Sequence, residues 1–330
     1  MSNPGILFDE TMLKRNEDQD EDIVTIVDEC DRCTKVGFLP EVEASYLGLL
    51  IHVMDLTSLN STDNQKTIEA LVNKALTFTK KMLKTDIENM ASYHSCEMYN
   101  YFTTSTLTPQ TVCVSSVRVA DAVQSINCQN EHIDIASVAG GFPMGQVPLS
   151  SRITEVEYAI SQGAAEIDIV IDRGLANMGD FNRLYHDLRS IKSVCVNGDV
   201  TLKTILSVTE LDSYHTVYKM AMTAMMAGSD FIKTSTGKEA ENATLSHGVI
   251  MCQAINKYYN TTGYKVGIKP AGGIKFNEQA LSWLILVKNQ LGNDWLKASL
   301  FRIGASSLLE DVVKRLSIVL KKLQTNYLKN

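Results

Sequence analysis

The chain has 330 residues, 45% of them apolar, with 31 basic against 38 acidic side chains and a formal net charge of −7. That composition supports a sizeable core, and with no basic block it excludes a nucleic-acid surface, leaving small molecules as the expected partners. No stretch approaches the roughly eighteen apolar residues of a membrane span, and MSNPGILFDE lacks a basic-then-apolar leader pattern, so a soluble, cytoplasmic chain with no membrane partner is expected.

In chain order, residues 1–44 stand apart. NEDQDEDIVTIVDECDRCTK is dense in acid and poor in aromatics, which predicts an acidic N-terminal extension, a flexible arm or a peripheral helix, with Ile23, Val24, Ile26 and Val27 able to dock one turn. Cys30 and Cys33 form a single C-x-x-C. With no second pair, an odd total of seven cysteines and no H-x-x-x-H, neither a disulfide framework nor a metal site is read; the expectation is reduced thiols, no metal and no cofactor.

From about residue 45 to the end, short apolar runs alternate with longer helical stretches, predicting one domain over 45–330. The runs are QTVCVSS (110–116), HIDIASVAG (132–140), AEIDIVI (165–171), VTLKTIL (200–206), DFIK (230–233), KVGIK (265–269) and FRIGA (301–305). Helical patterns over 152–163, 181–195 and 213–228 separate them at the spacing that parallel crossovers require. An eighth strand is expected between Ile274 and Leu300, with SWLILV as its candidate. Eight such units over about 285 residues predict a (β/α)₈ TIM barrel. A doubly wound sheet is the competing topology, but no G-x-G-x-x-G follows the first strand.

Side chains alternate along a strand, so one parity fills the barrel interior and the other meets the helices. Placing Ile167, Ile169 and Ile171 outward turns Asp168 inward. Likewise Leu202 outward turns Lys203 inward, Ile232 outward turns Lys233 inward, and Val266 with Ile268 outward turns Lys269 inward. A single inward lysine can snorkel to water along its own stem. Three from adjacent strands cannot be dismissed that way, because buried ammonium groups are costly without carboxylates or chemistry to compensate. Chemistry that uses them is amine catalysis: desolvation and a neighbouring cation favour the neutral, nucleophilic amine, and a carboxylate moves protons. The expected nucleophile is Lys233, which ends its strand on the face where barrel active sites are built.

Three loops on that face are suited to an anion. TSTGK follows Lys233, PAGG follows Lys269, and GASS runs directly into the last helix. Gly237, Gly272 and Gly273 allow close backbone approach, and Ser306 or Ser307 would cap a helix whose N-terminus favours phosphate. The Gly237-Lys238 pair is no Walker motif, since Ile232 stands where its first glycine belongs and Glu239 follows the lysine.

MDLTSLN, IASVAGGFPMG, AEIDIVI, LKTIL, DFIKTSTGK, VGIKPAGGIK and FRIGASSLL, in that order from about Tyr46 to Glu310, resemble the deoxyribose-phosphate aldolase family, in particular its animal-type members with an N-terminal extension. The resemblance implies a metal-free class I aldolase that splits 2-deoxy-D-ribose 5-phosphate into acetaldehyde and D-glyceraldehyde 3-phosphate in deoxyribonucleoside catabolism. It implies that Lys233 forms the Schiff base, that Lys269 perturbs it, and that Asp168 and Lys203 relay protons. Asp55 would lie near the substrate hydroxyls, with Gly237, Lys238, Gly272, Gly273, Ser306 and Ser307 around the phosphate. Two stretches depart from the family pattern: Ser207-Val208-Thr209 replaces a Glu-Thr-Gly, and Ser115-Ser116 replaces a Tyr-Pro. Tyr327 is not terminal, so the role of a C-terminal tail tyrosine is not carried over to it. A transaldolase-like Schiff-base barrel would share the lysines but not the substrate; a silent scaffold barrel would have no reason to keep them. A homodimer is one assembly compatible with the pattern, which does not itself determine oligomeric state.

Overall fold

In a computed structural model, which describes residues 2–15, 21–90, 107–129 and 131–327, the short apolar runs form parallel strands. They are β1 (Met54–Thr57), β2 (Thr111–Ser115), β3 (Asp134–Ala139), β4 (Glu166–Val170), β5 (Thr201–Ile205), β6 (Phe231–Lys233), β7 (Gly267–Lys269) and β8 (Ile303–Ala305). Their order is β7-β6-β5-β4-β3-β2-β1-β8, and bridges from Ile268 to Phe301 and from Ala271 to Gly304 join the two ends into a barrel. The TIM-barrel expectation holds.

The helices are α1 (Glu21–Val36), α2 (Pro40–His52), α3 (Gln65–Met90), α4 (Val119–Asn127), α5 (Leu149–Ser161), α6 (Arg173–Asn177), α7 (Phe181–Asn197), α8 (Tyr214–Met226), α9 (Leu245–Thr262), α10 (Asn277–Leu291) and α11 (Leu308–Tyr327). Outward strand residues such as Ile167, Leu202, Ile232 and Ile268 are fully buried beneath this layer, where each such side chain contributes about 1.5–3 kcal/mol. Among the described residues no helix is long and apolar enough to cross a membrane.

The eighth strand is not where the sequence placed it. SWLILV lies inside α10, where Trp283, Leu284, Ile285, Leu286 and Val287 are all buried. A helix covered on most sides, here with α1 packed over it, loses the amphipathic period and reads as a strand-like apolar run. The missing strand is β1, at the start of the barrel. It has only four residues and carries Asp55 in its middle, so it shows no apolar run at all.

The boundary drawn at residue 44 falls within α2, which packs against α11. On α1, Ile23 and Cys30 are buried while Val24 is largely exposed, so the docking face differs from the four-residue cluster expected. Cys30 and Cys33 carry free thiols. Ahead of α1, the segment from Ser2 to Phe8 is held at the barrel's N-terminal end. Asn3 is buried and donates to the carbonyls of Met225 and Ser229, and the Ile6 amide donates to Met226. Nothing in the composition of this segment signalled that anchorage.

Candidate active site

Strand register brings the inward side chains together. Asp168 stands beside Lys203 and Lys233 beside Lys269, while Asp55 is level with Gly304. Gly304 has to be glycine: a Cβ there would lie 2.9 Å from Ala271 Cβ and 3.3 Å from Lys269 Cε. The space it leaves is the space the Lys269 stem crosses.

Asp168 is the hub. Its Oδ2 accepts from Lys233 and Lys269, each at 2.7 Å, and its Oδ1 accepts from Lys203 at 2.9 Å. The ammonium nitrogens of Lys233 and Lys269 are therefore no farther apart than twice 2.7 Å. Lys269 also donates to Asp55, and Lys203 pairs with Glu166 and lies 3.5 Å from Asp55. Arg302 closes the network from beneath, 2.7 Å from Asp55 Oδ1 and 2.8 Å from Glu166 Oε1. All of these residues are buried.

At Lys269, Lys203, Asp55 and Asp168 burial opposes charge, and opposite charges outweigh it. Burial pulls the Lys269 pKa down, but the Asp168 and Asp55 carboxylates hold it above the ordinary lysine value. The same contest, with Asp168, Glu166 and Asp55 as partners, raises Lys203. Burial would raise Asp55 and Asp168, yet the surrounding cations hold both well below the carboxylate range. Lys269 and Lys203 thus rest as cations, and Asp55 and Asp168 as anions. Counting the set, four basic side chains (Lys203, Lys233, Lys269, Arg302) face three carboxylates (Asp55, Glu166, Asp168). Charge balances when one amine is neutral.

Above the network a cavity of 530 Å³ opens on the C-terminal face. Of the three lysines only Lys233 lines it; Lys203 and Lys269 lie beneath. The far wall carries Gly237, Lys238, Gly272, Gly273 and Ser306 of the loops singled out in the sequence, together with Lys74 of α3 and Lys275, which sequence reading missed. Lys74 donates to the Ser306 carbonyl at 3.1 Å. Gly272 and Gly273 have φ of +81° and +76°, a region that suits glycine. Ser306 and Ser307 are exposed immediately before α11, and Ser307 does not line the cavity. The Gly237 amide is not open to a ligand as expected. It donates to Glu239 at 3.0 Å, as does the Lys238 amide at 3.2 Å. Opposite, Cys113, Ala136 and Val138 form a small apolar cluster with Leu59 and Phe142, so β2 and β3 present the uncharged side of the interior.

Glu166 and Arg302 were also missed. Both were accessible to the same parity rule, since Glu166 lies two residues before Asp168 and Arg302 two before Gly304. Their partners are on other strands, and nothing local marks them.

Comparison with known proteins shows the family. A family model described as DeoC/LacD family aldolase matches residues 49–311. The chain is 42% identical to the deoxyribose-phosphate aldolases of Homo sapiens and Bos taurus, in each case over 276 residues, 84% of this chain and 82% of the relative. Its fold is similar to that of a solved structure from Toxoplasma gondii ME49, with a TM-score of 0.69 at 20% identity, covering 86% of this chain and 97% of the other. It is also similar to the deoxyribose phosphate aldolase from Aeropyrum pernix, with a TM-score of 0.56 at 21% identity, covering 89% and 96%.

Proposed function

The chain belongs to the DeoC/LacD family of aldolases, and on that premise we propose that it reversibly cleaves 2-deoxy-D-ribose 5-phosphate to acetaldehyde and D-glyceraldehyde 3-phosphate through a Schiff base on Lys233. The observation that carries the assignment is that Lys233 is the one lysine of three that reaches the cavity, with Lys269 against the same Asp168 oxygen.

The neutral Lys233 amine attacks the C1 aldehyde of the open-chain sugar, and the carbinolamine loses water to give an iminium. The C3 hydroxyl then loses its proton and the C2–C3 bond breaks. Its electron pair moves into the C1–C2 enamine, and C3 leaves as the aldehyde of glyceraldehyde 3-phosphate. Protonation of the enamine at C2 and hydrolysis return acetaldehyde and free Lys233. The iminium is the electron sink of this sequence. Lys269, held cationic by Asp55 and Asp168, favours the uncharged form of its neighbour. Asp168, 2.7 Å from Lys233 and 2.9 Å from Lys203, stands where protons of the carbinolamine and the C3 hydroxyl can be taken up and returned, with Lys203 as its relay partner.

The phosphate belongs at the far wall, where Lys238, Lys275, Lys74, Ser306 and the Gly272-Gly273 turn meet. Binding it there holds the reacting end of the sugar against Lys233. Incubation with acetaldehyde and borohydride should add an ethyl-sized mass to the peptide containing Lys233, and the split products should be acetaldehyde and glyceraldehyde 3-phosphate. Labelling at another lysine, or a different three-carbon product, overturns the assignment.

A further inference from the structure

Glu239 is buried directly behind the loop that follows Lys233, yet it does not line the cavity. Its carboxylate gathers the loop's backbone. The Thr236 amide lies 2.9 Å and 3.1 Å from the two oxygens, the Gly237 amide 3.0 Å and the Lys238 amide 3.2 Å from Oε2. Successive amides converging on one anion form the kind of concavity that elsewhere binds phosphate. Here a side chain of the same loop fills it.

A fifth contact comes from the neighbouring strand. Ser207, just after β5 and in the left-handed region at φ +52°, donates to Glu239 Oε1 at 2.8 Å. The tie is reinforced where Thr209 donates to the Glu241 carbonyl at 2.6 Å. Toward β7, Asn242 donates to the Glu239 carbonyl at 3.2 Å and packs so closely on Gly272 that a Cβ there would lie 2.5 Å from its Oδ1. Glu239 therefore sits at the junction of the loops after β5, β6 and β7.

The opposite side of the barrel repeats the arrangement. Glu155 takes the amides of Gly140 and Gly141 at 2.8 and 2.9 Å and the Ser116 hydroxyl at 2.9 Å. Ser207 and Ser116 are both at positions where the sequence departs from the family pattern.

We propose that Glu239, held by Ser207, is a positioning residue for the phosphate end of the cavity: from behind the loop its carboxylate fixes the Thr236–Lys238 backbone so that Lys238 faces the substrate phosphate. The inference rests on reading the far wall as the phosphate seat. A carboxylate suits the task because it accepts only, and every group around it donates. Burial alone would raise its pKa, but the Thr236 and Ser207 hydrogen bonds hold it below the ordinary glutamate value.

Glu239→Gln keeps the volume but turns an NH₂ toward the backbone amides. We expect it to raise KM for 2-deoxyribose 5-phosphate about tenfold, with a much smaller change in kcat. Turnover of unphosphorylated 2-deoxyribose and borohydride trapping of acetaldehyde on Lys233 should stay as in the unmodified protein. Because Glu239 acts through Lys238, adding Glu239→Gln to Lys238→Met should cost little beyond Lys238→Met itself. Equal losses on both sugars, or full additivity with Lys238→Met, overturns the proposal. Ser207→Ala removes one donor without touching the loop and should give the same substrate-selective change at about two- to fivefold; if it does not discriminate between the sugars, the proposal is also wrong. A failure of the underlying reading shows separately, as an unmodified protein that is not trapped at Lys233 or does not prefer the phosphorylated sugar.

Discussion

Lys192 and Lys233 are both buried lysines that end at an aspartate, and of these two only Lys233 is placed to react. At the barrel's N-terminal end Lys192 of α7 is 2% exposed, and its ammonium lies 2.6 Å from Asp230 Oδ2 and 2.9 Å from Ser2 Oγ. Asp230 also accepts the Ser2 hydroxyl and the amides of Asn3 and Leu202, so the pair ties the N-terminal segment to β5 and β6. At the other end Lys233 is 3% exposed and lies 2.7 Å from Asp168. Burial, acceptor and distance are nearly the same. What differs is the company: Lys233 faces a cavity and shares its carboxylate oxygen with a second cation, whereas Lys192 is surrounded by groups that belong to the fold. A buried ammonium–carboxylate contact is therefore no mark of reactivity in itself; access and a competing charge are.

The contrast can be broken most directly at the two lysines. Lys233→Met should lower kcat/KM on the order of 10⁴-fold or more and abolish borohydride trapping, because of the three buried lysines of the network only Lys233 reaches the cavity. Asp168→Asn should be nearly as damaging to turnover. It should also cost about 3–5 kcal/mol of stability in denaturant titration, since three buried ammonium groups lose their common counter-charge; a stable, active variant would mean that the hub is elsewhere. Lys269→Leu should lower the rate about 10²-fold. It should also move the rise of activity with pH to higher pH, because the cation that favours a neutral Lys233 is gone. A profile unchanged in position would deny Lys269 that electrostatic part.

The network should also shape stability against pH. The depressed carboxyls of Asp55 and Asp168 stabilise the fold fully above their unfolded values near 4, and this contribution falls away as pH drops from there toward their folded values. The raised amines of Lys269 and Lys203 act in the opposite sense, stabilising below about 10 and losing the contribution as pH rises beyond it. Thermal midpoints should therefore form a plateau between these limits and fall on both sides; a steep slope near pH 7 would contradict the assignment of charges. The smallest effect belongs to Lys192→Met, which should cost about 1–3 kcal/mol of stability, loosen the N-terminal segment to proteolysis, and leave Lys233 trapping intact.

Much of the site was legible because a barrel strand obeys a two-residue period. Asp168, Lys203, Lys233 and Lys269 could be turned inward from the parity of their isoleucines, leucine and valine, and the structure brings all four together. The same rule was not applied to Glu166 or Arg302, and it had no purchase on Asp55, because β1 was not recognised as a strand. Four residues with a charge among them carry too little apolar signal. The reverse error placed a strand in α10, whose apolar surface is continuous because both the barrel and α1 cover it. Lys74 and Lys275 gave no sign at all: a lysine on a helix or in a loop is ordinary until the fold brings it to the cavity wall.

By itself, then, the amino-acid order determined the repeating strand–helix unit, the parity that sends amines to one interior, and the glycine turns on the face where they end, since all of these depend on spacing along the chain. Tertiary structure decided which carboxylates compensate those amines, which of the three lysines reaches the cavity, and that the amides of the Gly237 loop donate to Glu239. Those outcomes depend on charges and hydrogen-bond donors brought together from strands and loops far apart in the chain, and no local pattern encodes a balance that exists only once the barrel is closed.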